Sequence, residues 1–342
     1  MYVTIASDID QGLWDEIVRS SDEGTFFHTW KWLKILERHS VKKIFSRSYK
    51  GVLYPLIVCE GKEIIGLMPV FFFDSKFFKI TVSPPYSVEY QNLGPVMKRS
   101  SIPNKSHRKQ NIFLEFHNTL DNFLKKELKS NAISIISSPG ISDPRPFLWS
   151  GYRVTPQFTN IFDLKAGEQK LWDNLNQSVR KAVNKATKNG IIVEKGSKSD
   201  IDVLFNLLEN RNRIHSPKSF LPDIFENFYP DNLNFFIAKK DGIVLTGIIN
   251  ILYKNKMSVW VGSPKASVDG TSPNYILHWE TLRWACNNKF DIFEIMSANE
   301  STTFPFKSKF NPEIIPYYLL KWYSPLPRFA ESLYRGIFPY TY

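Results

Sequence analysis

A chain of 342 residues exceeds one ordinary hydrophobic core and is expected to divide into two domains. Hydrophobic content of 43% and aromatic content of 15% exclude a disordered or low-complexity polymer, and a net charge of +11 points to an anionic partner. Two cysteines, Cys59 and Cys286, are too few for a disulfide framework or a metal knuckle, so a reducing, cytoplasmic setting is the simplest expectation.

The opening MYVTIASDIDQ carries acids and no basic n-region, so no signal peptide is expected. DQGLWDEIVRSS predicts a helix. TFFHTWKWLKILERHS predicts a second, entered from a loop and carried by Trp32, Ile35 and Leu36. Residues 53–59 and 63–72 read as strands joined by a turn at Glu60-Gly61-Lys62. The apolar run IIGLMPVFFF at 64–73 falls short of the roughly 20 residues that span a bilayer. After FKITVSPPY, the stretch SVEYQNLGPV is too rich in Pro and Gly for regular structure. KRSSIPNKSHRK at 98–109 reads as a mobile basic loop, solvated or in contact with phosphate. A helix at 113–128 and a strand at 132–137 follow, then the loop SSPGISDPRPFLWSGY.

The segment 168–194, EQKLWDNLNQSVRKAVNKATKNGIIVE, is the most informative. Leu171, Leu175, Val179, Val183 and Ala186 recur at helical spacing, which predicts one amphipathic helix stopped by Asn189-Gly190. Off that stripe stand Arg180, Lys181, Lys185 and Lys188. Cations in the last turns complement the helix dipole, about 0.3–1 kcal/mol each. Four of them with no interleaved acid also make a candidate grip for a polyanion such as a nucleotide, a tRNA stem or a lipid head group.

Further on, 201–213, 219–228 and 273–288 predict helices, and 234–253, 256–262 and 290–296 predict strands. NFFIAKKDGIVLTGIINILY at 234–253 overlays PLIVCEGKEIIGLMPVFFF at 55–73, each a strand, a tight turn and a strand with an internal glycine (Gly247, Gly66). The overlay suggests a duplicated unit. Helices and strands mixed in both halves argue for an α/β fold of two similar domains, with mixed sheets flanked by helices.

There is no G-x-S-x-G, H-E-x-x-H or Walker loop, and the six histidines (28, 39, 107, 117, 215 and 278) show no metal-ligand spacing. His278 shares its helix with Leu277 and Leu282 and reads as a packed or surface residue; Cys286 reads as core. Neither a dedicated nucleophile nor a metal is expected. What remains is SANESTTFPFKSKFNPE at 297–313, which follows a strand end, where α/β folds place their sites. Phe304, Phe306 and Phe310 are candidate anchors from which Lys307 and Lys309 project; a return loop with solvated lysines is the plainer alternative. A lysine fixed in this way would stabilise an oxyanion or a phosphate, whereas its ordinary pKa makes it a poor base. Glu294 and Glu300 are the nearest carboxylates to accept a proton.

Taken together, FFHTWKWLKIL, GKEIIGLMPV, SPPYSVEYQNLGPV, SGYRVTPQFTNIFDL, LWDNLNQSVRKAVNKATKNGIIVE, SPNYILHWETLRWA and FPFKSKF resemble, in order, the FemABX-like aminoacyltransferases and related proteins with GNAT-type domains. The resemblance implies two tandem GNAT-like domains separated by a cleft. The first, acceptor-side domain is expected over 1–155 with the returning tail 317–342, and the second, transferase domain over 156–316. It implicates Arg180, Phe306 and Lys307 in transfer, and Trp32, Tyr90 and Asn92 in holding a nucleotide- or lipid-linked cell-wall acceptor. The pattern departs where Asn184 replaces a usual arginine and where Glu294-Ile295-Met296 replaces Asp-x-Gly. No heptad segment matches the coiled-coil arm of some members.

No resident cofactor is implied. The donor is an anionic aminoacyl-tRNA or a CoA thioester, already activated, so that orientation supplies much of the catalysis, up to ~7–11 kcal/mol. A CoA-dependent N-acetyltransferase acting on a sugar or small amine is a competing expectation. Against it, QNLGPV at 91–96 ends in Val96 and places Pro95, which has no N–H, in the pyrophosphate turn, and 262–274 also lacks the pattern. A third reading is a non-enzymatic binder of RNA or of the inner membrane surface, through the aromatic and basic tail 321–342.

Overall fold

The structure is a computed structural model that describes residues 1–7, 10–44, 47–75, 78–85, 91–209, 219–262 and 266–324. The chain divides into two compact units, one of Met1–Ser87, Gln91–Pro156 and Tyr317–Tyr342, the other of Val88–Tyr90 and Gln157–Pro316. In chain order the first part contains β1 (Tyr2–Ile5), α1 (Gln11–Ser20), α2 (Trp30–His39), β2 (Val41–Ile44), β3 (Arg47–Lys50), β4 (Val52–Glu60), β5 (Glu63–Asp74) and β6 (Lys79–Ser83). Then come β7 (Val96–Met97), α3 (Ser106–Asn122), β8 (Ala132–Ile136), α4 (Arg145–Trp149) and β9 (Arg153–Asp163). The rest comprises α5 (Glu168–Asn174), α6 (Gln177–Lys188), β10 (Ile192–Lys195), α7 (Ile201–Glu209), α8 (Phe220–Phe228), β11 (Leu233–Lys240) and β12 (Ile243–Tyr253). It closes with β13 (Lys256–Gly262), α9 (Pro273–Asn287), β14 (Ile292–Ile295), α10 (Phe304–Lys307) and β15 (Glu313–Tyr323).

The two units repeat one mixed α/β plan. Strand order is β1-β4-β5-β6-β8-β15 in the first and β10-β11-β12-β13-β14-β9 in the second. Within each, one neighbouring pair is parallel, β6 with β8 and β13 with β14. Parallel neighbours need a crossover, and α3 and α9 provide it. The duplicated hairpins match in detail. Val58 faces Gly66 immediately before a register shift in β4·β5, and Ile237 faces Gly247 one residue pair earlier than the shift in β11·β12. A Cβ on Gly66 would meet the Val96 carbonyl at 2.4 Å, and one on Gly247 would meet Leu204 Cδ1 at 2.6 Å. Each glycine therefore lets a neighbouring segment close onto its hairpin.

Several elements differ from the sequence expectation. The stretch 168–188 is two helices, not one: Leu175 is extended, and Asn176 Oδ1 accepts the Ser178 N–H at 2.9 Å as the N-cap of α6. All five apolar residues of the stripe are nevertheless buried, so packing follows the spacing while the cap decides the break. Asn176→Ala is expected to lower stability by about 1 kcal/mol, read from the urea midpoint. The basic stretch 98–109 is not all loop, because α3 begins at Ser106, and α3 gives way to a π-helical turn at Phe123–Glu127. The short helix α4 and the strands β1, β6 and β9 lie where no regular element was expected. The helix expected over 201–213 is described only to Glu209, and most of the tail 321–342 lies outside the described residues.

Candidate functional site

The site is built where the parallel pair of the second unit ends. β13 and β14 stay in register to Val259 opposite Ile295, while the β12·β13 register shift leaves Trp260 as an extra residue. Met296 N–H still reaches the Val259 carbonyl at 3.3 Å. At Ser297 the backbone turns through a left-handed conformation (φ 59°), and Ala298 N–H donates to the Phe158 carbonyl at 2.7 Å. The chain then passes into α10.

Lys307 does not project from this loop. Its ammonium donates to the Met296 carbonyl at 2.8 Å and to the Ser297 carbonyl, which places a fixed positive charge at the open end of the parallel strands. Of the three expected anchors, Phe310 is buried and Phe306 half-buried, but Phe304 is 61% exposed and anchors nothing. Phe306 lies 4.9 Å from Tyr275, 5.0 Å from His278 and 5.3 Å from Phe310, centroid to centroid. Rings from α9 thus clamp the segment that carries Lys307.

The cationic face of α6 belongs to the same construction. Asn176 N–H donates to the Lys309 carbonyl at 3.0 Å, and Asn311 Nδ2 donates to Asn174 Oδ1 at 2.8 Å. At its other end, Lys185 donates to the Gly270 carbonyl at 3.1 Å, and Asn189 Nδ2 to Thr271 Oγ1 at 2.9 Å. This helix is therefore tied both to the segment after Lys307 and to the loop that opens α9. Arg180 is half-buried and donates to the Asp173 carbonyl at 2.9 Å, while Lys181, Lys185 and Lys188 are exposed.

Of the two candidate carboxylates, Glu294 has another role than the expected one. Glu294 is 1% exposed; Oε1 accepts from Thr159 Oγ1 at 2.7 Å, and Oε2 from Lys256 Nζ and Ser258 Oγ, both at 2.8 Å. Burial alone would push its carboxyl up, but the Lys256 charge and these hydrogen bonds outweigh it and hold it below the usual carboxylate range. Glu294 is an internal anchor rather than a proton acceptor. Glu300 is half-buried, and its carbonyl accepts the Phe304 N–H at 3.0 Å at the start of α10.

The first unit closes the corresponding place with its own backbone. Beyond Ser83 opposite Ile135, the Leu93 N–H donates to the Ile136 carbonyl at 2.9 Å, and Gly94 N–H donates to Ser83 Oγ at 3.1 Å. The carbonyl just past the paired strands is thus taken by a backbone amide here and by the Lys307 ammonium in the second unit. His28 Nδ1 accepts the Thr25 N–H at 3.1 Å, so its Nε2–H donates to the Gly94 carbonyl at 3.3 Å and pins the segment. Gly94 has φ 99°, and a Cβ there would lie 3.1 Å from Ile135 Cγ2. Gly94→Ala is expected to destabilise by about 1–3 kcal/mol in denaturant titration.

The acceptor-side residues fare differently. Trp32 is 0% exposed, packed edge-on to Phe26 and Phe27, with its indole N–H donated to Gln91 Oε1 at 3.1 Å. It is core, and an acceptor has no access to it. Asn92 is buried, and its carbonyl accepts from Thr25 Oγ1 at 3.2 Å. Tyr90 lies outside the described residues. Among the described residues no cluster of His, Cys, Asp and Glu would hold a metal, and no helix is long and apolar enough to cross a membrane. The sequence reading took His278 as a packed or surface residue and did not weigh Asn274, one turn earlier on α9; their i, i+4 spacing beside Tyr275 was the available signal.

Residues 174–308 match the family model described as acetyltransferase (GNAT) domain, which falls within the unit that holds Lys307. That segment is accordingly a GNAT-type acyltransferase domain. A comparison with curated proteins finds no match. Among solved structures, the crystal structure of FemX superposes with a TM-score of 0.67 at 12% identity, covering 97% of this chain and 100% of that one. The C-terminal domain of a protein described as a lysylphosphatidylglycerol synthetase, from Agrobacterium fabrum, gives 0.55 at 12% identity over 96% of each chain. A tandem GNAT protein from the clavulanic acid biosynthesis pathway gives 0.52 at 11%, covering 94% of this chain and 97% of that one. These likenesses show the fold, two similar mixed α/β units in tandem along the chain.

Proposed function

We propose that the chain transfers an aminoacyl group from tRNA to an amine of a cell-wall peptide or related nucleotide- or lipid-linked precursor. The observation that carries this reading is the linkage of the cationic α6 to the Lys307 segment through Asn176 and Lys309. A long polyanion held along Arg180, Lys181, Lys185 and Lys188 would deliver its acyl end towards a fixed ammonium. Lys307 then stabilises negative charge developing on the attacked carbonyl or on donor phosphate, without exchanging a proton. The motif resemblance to the FemABX-like aminoacyltransferases suggests the substrate classes, and the fold shared with FemX and with the domain named for a lysylphosphatidylglycerol synthetase supports the reading.

A CoA donor fits less well. α9 begins with Pro273, which has no N–H to offer a pyrophosphate, and Ser272 at its N-cap makes no side-chain cap. Peripheral contact with the inner membrane surface would bring the enzyme to a lipid-linked acceptor. Titration calorimetry with alanyl-tRNA, acetyl-CoA and a UDP-linked muramyl pentapeptide separates these possibilities. Alanyl-tRNA and the muramyl peptide are expected to bind and acetyl-CoA is not; binding of acetyl-CoA with no binding of alanyl-tRNA overturns the proposal. Changing the four α6 cations to Gln is expected to weaken tRNA binding and flatten its salt dependence by roughly 0.7–0.9 log units per log unit of salt for each phosphate no longer neutralised. An unchanged slope removes α6 from the donor site.

A further inference from the structure

We infer that His278 Nε2 takes the proton that an acceptor amine gives up as it is acylated, which makes His278 a further catalytic residue of the second unit. The inference rests on the acyl-transfer reading and adds a group to the same site.

The protonation pattern of the ring is fixed by its neighbours. His278 Nδ1 lies 2.9 Å from the Asn274 carbonyl, which only accepts, so Nδ1 carries the hydrogen and Nε2 keeps its lone pair. Among the described residues Nε2 takes no hydrogen bond. One turn earlier on the same helix, Asn274 Oδ1 is buried and also lacks a partner. Two unused acceptors on one face of α9 suit a ligand that brings N–H donors, which is the chemistry of an amine. His278 is also edge-on to Phe306, the residue before Lys307. The aromatic clamp therefore holds the base, the ammonium and the loop as one body.

The ring's low basicity suits this role. Burial, aided by the Lys307 charge, pushes the His278 imidazole down to about 4, so it stays neutral beside a fixed cation. Such a base does not strip a free alkylammonium, whose acidity is far too low. It acts later. The neutral amine attacks the acyl carbonyl, the C–N bond forms, and the nitrogen becomes positively charged in the tetrahedral intermediate. As the bond to the leaving oxygen or sulfur breaks, that nitrogen becomes an N-protonated amide, a strong acid, and its proton passes to Nε2. Nε2 then returns the proton to the departing alkoxide or thiolate, so the ring ends neutral, ready for another cycle.

His278→Phe keeps a flat ring against Phe306 and Phe310 but has no nitrogen; His278→Gln serves as a second variant if the first packs poorly. Single-turnover transfer to the UDP-linked muramyl pentapeptide is measured with alanyl-tRNA and, in parallel, acetyl-CoA. The expected result is transfer slowed about 100-fold or more with unchanged donor affinity and melting temperature. In an independent arm, nitrogen NMR of histidine-labelled wild type is expected to show Nε2 unprotonated at neutral pH and shifted by the acceptor, not by donor alone. Transfer at the wild-type rate in both variants, or an Nε2 that is protonated or indifferent to the acceptor, overturns the assignment. A wild type that is inactive with both donors while Nε2 responds to the acceptor overturns the transfer reading instead and leaves an amine site.

Discussion

Replacing Lys307 with Met lowers acyl transfer by at least about tenfold without unfolding the protein, because a preorganised charge acting on the transition state is lost while the stem still fills its place. Two carbonyls of the same turn accept from the ammonium, so Lys307 does not search for its position during the reaction. A group fixed beforehand contributes more than one that must reorganise, and removal of a single oxyanion donor elsewhere costs on the order of 10²–10³ in rate. The check is single-turnover transfer from alanyl-tRNA and from acetyl-CoA, alongside a melting curve. Lys307→Arg is expected to recover little, since a guanidinium has a different reach and hydrogen-bond geometry. Wild-type rates in Lys307→Met would exclude Lys307 from the site.

Glu294→Gln gives the largest expected loss of stability, about 2–4 kcal/mol, because it leaves the Lys256 ammonium without its counter-charge in a buried network. Lys256 is itself 30% exposed, which keeps the cost towards the lower end of what breaking a buried pair brings. The effect depends on pH with a definite sign. The Glu294 carboxyl titrates lower in the folded state than in the unfolded one, so its stabilisation is fully present above the unfolded value of roughly 4.3. It disappears as pH falls through the folded value, so the gap between wild type and Glu294→Gln in urea titrations narrows under acid conditions and is widest near neutrality. In Glu294→Leu with Lys256→Met, an apolar pair replaces the charges and is expected to recover only part of the loss, because the buried Thr159 and Ser258 hydroxyls lose their acceptor.

Much of the fold was legible because it rests on periodicity. Strands with an apolar run, such as Val52–Glu60 and Lys256–Gly262, and the stripe from Leu171 to Ala186 declare themselves by spacing. Spacing does not reveal a break that preserves the stripe. Leu171, Leu175 and Val179 stay four apart whether the helix continues or is re-capped at Asn176, so two helices were read as one. β9 was overlooked because its first half is polar and carries Pro156, and only pairing with its neighbours makes it a strand.

The site was legible in part. Phe306 and Lys307 could be singled out by local pattern, but the direction of the lysine depends on carbonyls set by the left-handed turn at Ser297. Glu294 was misread because its partners are remote in sequence; the parallel register places Ser258 opposite it and brings Lys256 within 2.8 Å. Trp32 was misread for a related reason. An aromatic residue looks the same in a core as in a binding cage until its neighbours, here Phe26 and Phe27, are known.

The strand at the same rank in each sheet comes from different points of the chain: β9 precedes the rest of its unit, whereas β15 reaches β8 only after the whole second unit has been traversed. During synthesis, then, β8 waits with one side bare while the 176 residues between Ile136 and Glu313 emerge. A bare strand invites pairing with a neighbour's chain. Ribosome-bound intermediates stalled before Glu313 should therefore associate with chaperones more strongly than those stalled after Tyr323, and early termination should be felt in the unit made first.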